Sequence, residues 1–172
     1  YAAKVPQAHN NLGQILMRVN QLDEAEEAFK AALAAIPDFV PALNNLGLIY
    51  YDKNRLEEAE KQFRLVLKVN PEHVEAHNNM GLVYHKKGML KAAEAEYNVA
   101  LKLQPESFLA HNNLGVLYFE QGKMAEAEAL YKTALRIKPD YSFILNNIGE
   151  LYYRKGLLDE AEKQFKKAIE SA

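Results

Sequence analysis

His9-Asn10-Asn11-Leu12-Gly13 returns as Leu43-Asn44-Asn45-Leu46-Gly47 and as His77-Asn78-Asn79-Met80-Gly81. It returns again as His111-Asn112-Asn113-Leu114-Gly115 and as Leu145-Asn146-Asn147-Ile148-Gly149. Successive glycines stand 34 residues apart. A fixed period of this length is the mark of one supersecondary unit stacked on copies of itself, since a single unit cannot bury its apolar face alone. With the glycine counted as position 8, the units run 6–39, 40–73, 74–107, 108–141 and 142–172, a single array. Residues 1–5 read as the remnant of a preceding segment, and a chain that opens on Tyr1 reads as a processed or excised piece.

Working outward from the glycine, position 20 is Ala25, Ala59, Ala93, Ala127 and Ala161. Position 24 is Phe29, Phe63, Tyr97, Tyr131 and Phe165, and position 32 is Pro37, Pro71, Pro105 and Pro139. Position 11 is Leu16, then Tyr50, Tyr84, Tyr118 and Tyr152. These residues resemble the tetratricopeptide repeat, W-x₂-L-G-x₂-Y followed by A-x₃-F and P, over residues 6 to 172. The departure is the opening aromatic: position 4 is His9, Leu43, His77, His111 and Leu145, and the chain has no Trp. The resemblance implies an all-α, right-handed superhelical solenoid, with the first helix of each repeat (A) on the concave side and the second (B) on the convex side.

Elementary patterning agrees. Leu46, Ile49 and Tyr50 form one stripe of helical period, and Leu56, Ala59, Phe63, Val66 and Leu67 form a second. Between such stripes sit Asn20, Asn54, Gly88, Gly122 and Gly156, the residue types that tolerate a left-handed helix end. Each position-32 proline drives the residue before it out of helical geometry and closes the B helix. Ten helices are predicted over 6–19, 23–36, 40–53, 57–70, 74–87, 91–104, 108–121, 125–138, 142–155 and 159–171.

A net charge of −2 gives no general attraction for nucleic acid. The absence of cysteine removes disulfide and thiol chemistry and leaves the compartment open, with the cytoplasm favoured. No apolar run approaches the ~18 residues of a membrane span. The recurring Glu26, Glu60, Glu94, Glu128 and Glu162 read as a solvated face of the B helices. His73 and His77 have i,i+4 spacing but nothing at helical spacing completes a metal site, so the histidines at position 4 read as packing residues and no cofactor is expected.

The asparagine pairs at positions 5 and 6 stand out, because asparagine is a mediocre helix former. They are Asn10 and Asn11, Asn44 and Asn45, Asn78 and Asn79, Asn112 and Asn113, and Asn146 and Asn147. As a set they are similar to the asparagine ladder of the O-GlcNAc transferase repeat domain, where position-6 asparagines hold the backbone of an extended polypeptide. The matching residues are Asn11, Asn45, Asn79, Asn113 and Asn147. The bland alternative is that they bond to a neighbouring helix. Positions 2, 9 and 12 share the side of position 5, so Leu48, Tyr51, Leu82, His85, Val116, Phe119 and Tyr153 are expected to line an open groove. The carboxylate clamp of chaperone-binding repeat domains does not fit, since it requires Lys or Arg where this chain has Asn, Gln, Pro, Glu or Leu.

The sequence therefore points to a non-catalytic scaffold that grips an extended peptide or protein segment. The alternatives are the substrate-recruiting part of a larger, glycosyltransferase-like enzyme and a self-assembly module. Weak head-to-tail self-association is also expected, because Phe165, Ala168 and Ile169 have no following helix to cover them.

Overall fold

The computed structural model describes residues 4–171, and of Lys4 the backbone alone. The described residues form α1 (Lys4–Arg18), α2 (Leu22–Ala35), α3 (Val40–Asp52), α4 (Leu56–Val69) and α5 (Val74–Lys86). They continue with α6 (Leu90–Leu103), α7 (Phe108–Glu120), α8 (Met124–Ile137), α9 (Ser142–Arg154) and α10 (Leu158–Glu170). Each helix lies within two residues of its expected span. Helix α1 already includes Lys4 and Val5 of the expected remnant, whose residues 1–3 lie outside the described residues, as does Ala172. Among the described residues no helix is long and apolar enough to cross a membrane.

The helix ends follow the local chemistry. Asn20 and Asn54 take φ of 59°, and Gly88, Gly122 and Gly156 take 74° to 76°, closing each A helix through a left-handed residue. Ile36, Asn70, Gln104 and Lys138, each before a proline, have φ near −135° and end the B helices in extended backbone. His73 Nδ1 accepts the Ala76 amide at 3.2 Å and Ser107 Oγ accepts that of Ala110 at 3.4 Å, capping α5 and α7.

The chain divides into two compact units, one ending at Lys87 and the other beginning at Gly88. In the first, α1 pairs with α2 and α3 with α4, α2 packs on α3 and α4 on α5, and α1, α3 and α5 stand side by side. Its core includes Leu43, Val66 and Ala76, with Leu33, Val40 and Leu67 against them. In the second, α7 pairs with α8 and α9 with α10, while α6 packs on α7, α8 on α9 and α7 beside α9. Position 8 must be glycine because the partner helix crosses there: a Cβ on Gly47 would lie 2.6 Å from the Phe63 ring, and one on Gly115 2.7 Å from the Tyr131 ring.

The recurring glutamate is not a solvated face. Glu26 is buried, and Glu60 and Glu128 are largely so, because the next repeat reaches back to them. Lys53 Nζ lies 2.6 Å from Glu26, Lys87 Nζ 2.9 Å from Glu60 and Lys155 Nζ 2.6 Å from Glu128. Glu94 instead accepts the Tyr118 hydroxyl at 2.6 Å. Burial opposes the charge on Glu26, but hydrogen bonds from Lys53, Lys30 and Arg55 outweigh it and hold the carboxyl down at about 2. Each glutamate thus clasps one repeat to the next, except Glu162, whose side chain is exposed and pairs with Lys166 on its own helix at 2.6 Å.

Candidate functional site

Position 4 settles first. His77 Nε2 donates to the Pro71 carbonyl at 2.9 Å and His111 Nε2 to that of Pro105 at 2.9 Å, so these rings tie each A helix to the loop before it. Leu43 and Leu145 fill the same slot as buried apolar residues. Among the described residues no cluster of His, Asp or Glu could hold a metal ion.

The asparagines bond to one another. In the first unit Asn45 Nδ2 donates to Asn10 Oδ1 at 3.0 Å and Asn79 Nδ2 to Asn44 Oδ1 at 3.1 Å. In the second, Asn147 Nδ2 donates to Asn112 Oδ1 at 2.8 Å, and Asn112 Nδ2 to Asn113 Oδ1 at 3.3 Å. Each inter-repeat bond runs from position 6 to position 5 of the repeat before, so the amide dipoles point one way. Each such bond takes one of the two N–H donors of one amide and one of the two lone pairs on the oxygen of the other. Asn10, Asn78, Asn79 and Asn112 are buried, Asn44, Asn45, Asn113 and Asn147 half-buried, and Asn11 and Asn146 exposed. Asn11 Oδ1 accepts from Gln7 at 2.7 Å.

Beside the amides lie the apolar positions. Leu48, Tyr51, Leu82 and His85 are half-buried in the first unit, as are Val116 and Phe119 in the second, where both also pack against the core. Tyr153 is exposed, as are Leu109 and Phe143. Two cations that the sequence reading passed over cover this surface. Lys86 Nζ stands 4.6 Å over the Tyr51 ring, and the Arg154 guanidinium 4.6 Å over that of Phe119. Arg154 Nε also holds Glu150 at 3.2 Å. In both pairs the cation follows its aromatic ring by 35 residues, a spacing that could have been read from the sequence.

Paired helices, a glycine crossing and a repeat-to-repeat clasp define a helical-repeat scaffold, a class that works by presenting a surface to other proteins. The comparisons are specific about which one. Tetratricopeptide repeat profiles match residues 10–67, 47–88, 84–122 and 106–172, and the chain belongs to that family. It is similar to the solved structure of MamA, with 30% identity over 92% of this chain and 93% of that one, at a TM-score of 0.70. It is also similar to a thermophilic tetratricopeptide repeat protein of Thermus thermophilus, with 26% identity over 97% of this chain and 91% of that one, at a TM-score of 0.89. The pilF protein of Pseudomonas aeruginosa shares the fold alone, at 18% identity and a TM-score of 0.85 over 99% of this chain and 78% of that one. No curated protein matches the chain.

Proposed function

We propose that the chain is a non-catalytic scaffold whose A helices hold an extended segment of another protein. The observation that carries this reading is the row of amides oriented in advance by their own bonds, from Asn79 to Asn44 and from Asn45 to Asn10. A fixed polar row binds without the entropy cost of ordering its side chains. Packed helices lie ~8–10 Å apart and an extended chain advances ~3.3 Å per residue, so one asparagine pair meets roughly every third residue of a ligand. In the bonded pairs Asn45–Asn10 and Asn79–Asn44 one bond uses a single N–H of the donor amide and a single lone pair of the acceptor oxygen, and the remaining capacity suits the N–H and C=O of a peptide group, which every sequence has. This is the ladder-like use of asparagine that the repeat domain of O-GlcNAc transferase suggests. Preference among ligands then comes from Leu48, Tyr51, Leu82 and His85 in one unit and from Val116, Phe119 and Tyr153 in the other.

The test is a peptide-array profile of the parent, of the double variant Asn45→Ala with Asn79→Ala, and of Tyr51→Ala, each checked by thermal melting. Each lost hydrogen bond removes ~0.5–1.5 kcal/mol. The double variant is expected to weaken all extended peptides by a similar factor while remaining folded, and Tyr51→Ala to change their order. A folded double variant that binds every peptide as the parent does would mean that the amides serve only to join helices.

A further inference from the structure

We propose that the segment held by the first unit is a chain in polyproline II form whose charged side chains alternate acidic, basic, acidic at every third residue. This rests on the reading that the A helices hold an extended segment, and it names the chemistry of that segment. Position 13 is Arg18 on α1, Asp52 on α3 and Lys86 on α5, helices that stand side by side. Each follows its position-6 asparagine by seven residues, two turns along the same side of the helix. Position 13 is exposed in all five repeats, so its exposure belongs to the repeat itself.

Among the described residues Arg18, Asp52 and Lys86 form no ion pair, whereas Glu26, Glu60, Glu128 and Glu162 all do. In the second unit Arg154, at the same position, is held by Glu150. Stability does not ask for this row. Asp52 closes α3, where the helix dipole disfavours a carboxylate. Though the residue is exposed, partial burial of its carboxyl pushes that group up, with the Lys86 charge pulling the other way. Lys86 is fixed in place, its Nζ 3.3 Å from the Tyr51 carbonyl oxygen and 4.6 Å over the Tyr51 ring. A segment with acidic, basic and acidic side chains in turn meets each of the three with the opposite charge.

Spacing sets the form of the segment. Packed helices lie ~8–10 Å apart. A β-strand turns residues i and i+3 to opposite faces, so every third side chain of a strand does not reach the same surface. Polyproline II repeats its face every third residue, a rise of ~9.3 Å, and so sets one charge against each A helix. Its backbone makes no internal hydrogen bonds, which leaves the peptide groups open to Asn45 and Asn79. The order of signs reads the same from either end, so the match holds for both chain directions.

Fluorescence anisotropy of the 172-residue chain with short labelled peptides tests this. The peptides carry Glu-x-x-Lys-x-x-Glu, the same charges reordered as Glu-x-x-Glu-x-x-Lys, or glutamine at all three places, where x is proline or alanine. At low salt the first is expected to bind about tenfold tighter than the second, because exposed pairs each contribute modestly and two are mismatched. The gap should close in ~0.5 M salt. Asp52→Lys suits the helix dipole and should melt as the parent does. It is expected to abolish the preference and to take Glu-x-x-Glu-x-x-Glu ahead of all three peptides. Asp52→Asn serves if Asp52→Lys does not melt cooperatively, and should narrow the gap. Equal binding of the three peptides by the parent would overturn the charge pattern and leave the groove reading standing, whereas binding of none would overturn both. An Asp52→Lys chain that keeps the parent's preference would also overturn the proposal.

Discussion

Glu26 shows how much one side chain can depend on the repeat after it. Basic side chains hold its carboxyl down at about 2, below the ordinary value of 4.5; against burial, Lys87 and Arg64 lower that of Glu60, and Lys132 and then Lys155 lower that of Glu128. Protons therefore bind the unfolded chain more readily than the folded one. The stability that Glu26 adds in this way is whole above pH 4.5 and drains away as pH falls toward 2, and Glu60 and Glu128 add to it in the same direction. Glu26→Gln, which keeps the shape and removes the charge, should cost ~1.5–3 kcal/mol at neutral pH. It should also lose less than the parent on acidification. Urea melts at neutral pH and in acid check both points, and parallel pH profiles for the two proteins would contradict the assignment. This clasp was legible as a recurrence, since Lys53, Lys87 and Lys155 each follow a position-21 glutamate by 27 residues. It was misread because a glutamate on the outer helix looks solvated until the next repeat is set beside it. Among the described residues Glu162 has no following repeat beside it and pairs instead with Lys166 on its own helix.

At the scale of the helix, the sequence was close to sufficient. Alternating left-handed ends and proline-terminated ends mark where α1 to α9 stop, and the glycine and alanine columns mark where helices cross. Two of these devices can be told apart by experiment. Gly47→Ala puts a Cβ 2.6 Å from the buried Phe63 ring and should cost ~1–3 kcal/mol by overpacking. Gly122→Ala meets no atom within 4 Å, but its φ of +76° should cost ~1–2 kcal/mol through the backbone alone. In a Phe63→Leu background the first penalty should shrink and the second should not, as read from chemical denaturation of the double-mutant cycle. Equal penalties for Gly47→Ala in both backgrounds would mean that the crossing is looser than described. What the helix pattern could not give was the asparagine bonding. The pairs were visible, but which amide donates to which depends on how A helices of successive repeats stand side by side.

For the molecule as a whole, repetition multiplies one polar contact into a surface. The bonds Asn45 to Asn10, Asn79 to Asn44 and Asn147 to Asn112 all run the same way, so each unit presents amides with a common polarity. Joining helices is one role of these residues, and facing a ligand is the second role proposed for them; sequence alone could weigh the two but not show that the first is in place. The second role is the central claim, and the side-chain amide signals of a ¹⁵N-labelled chain report on it directly. Adding an excess of an unstructured, uncharged peptide should shift the side-chain signals of Asn45, Asn79 and Asn147 while leaving α2, α4 and α8 unmoved. Peptide binding that perturbs those B helices and leaves the three asparagine side chains unchanged would contradict it.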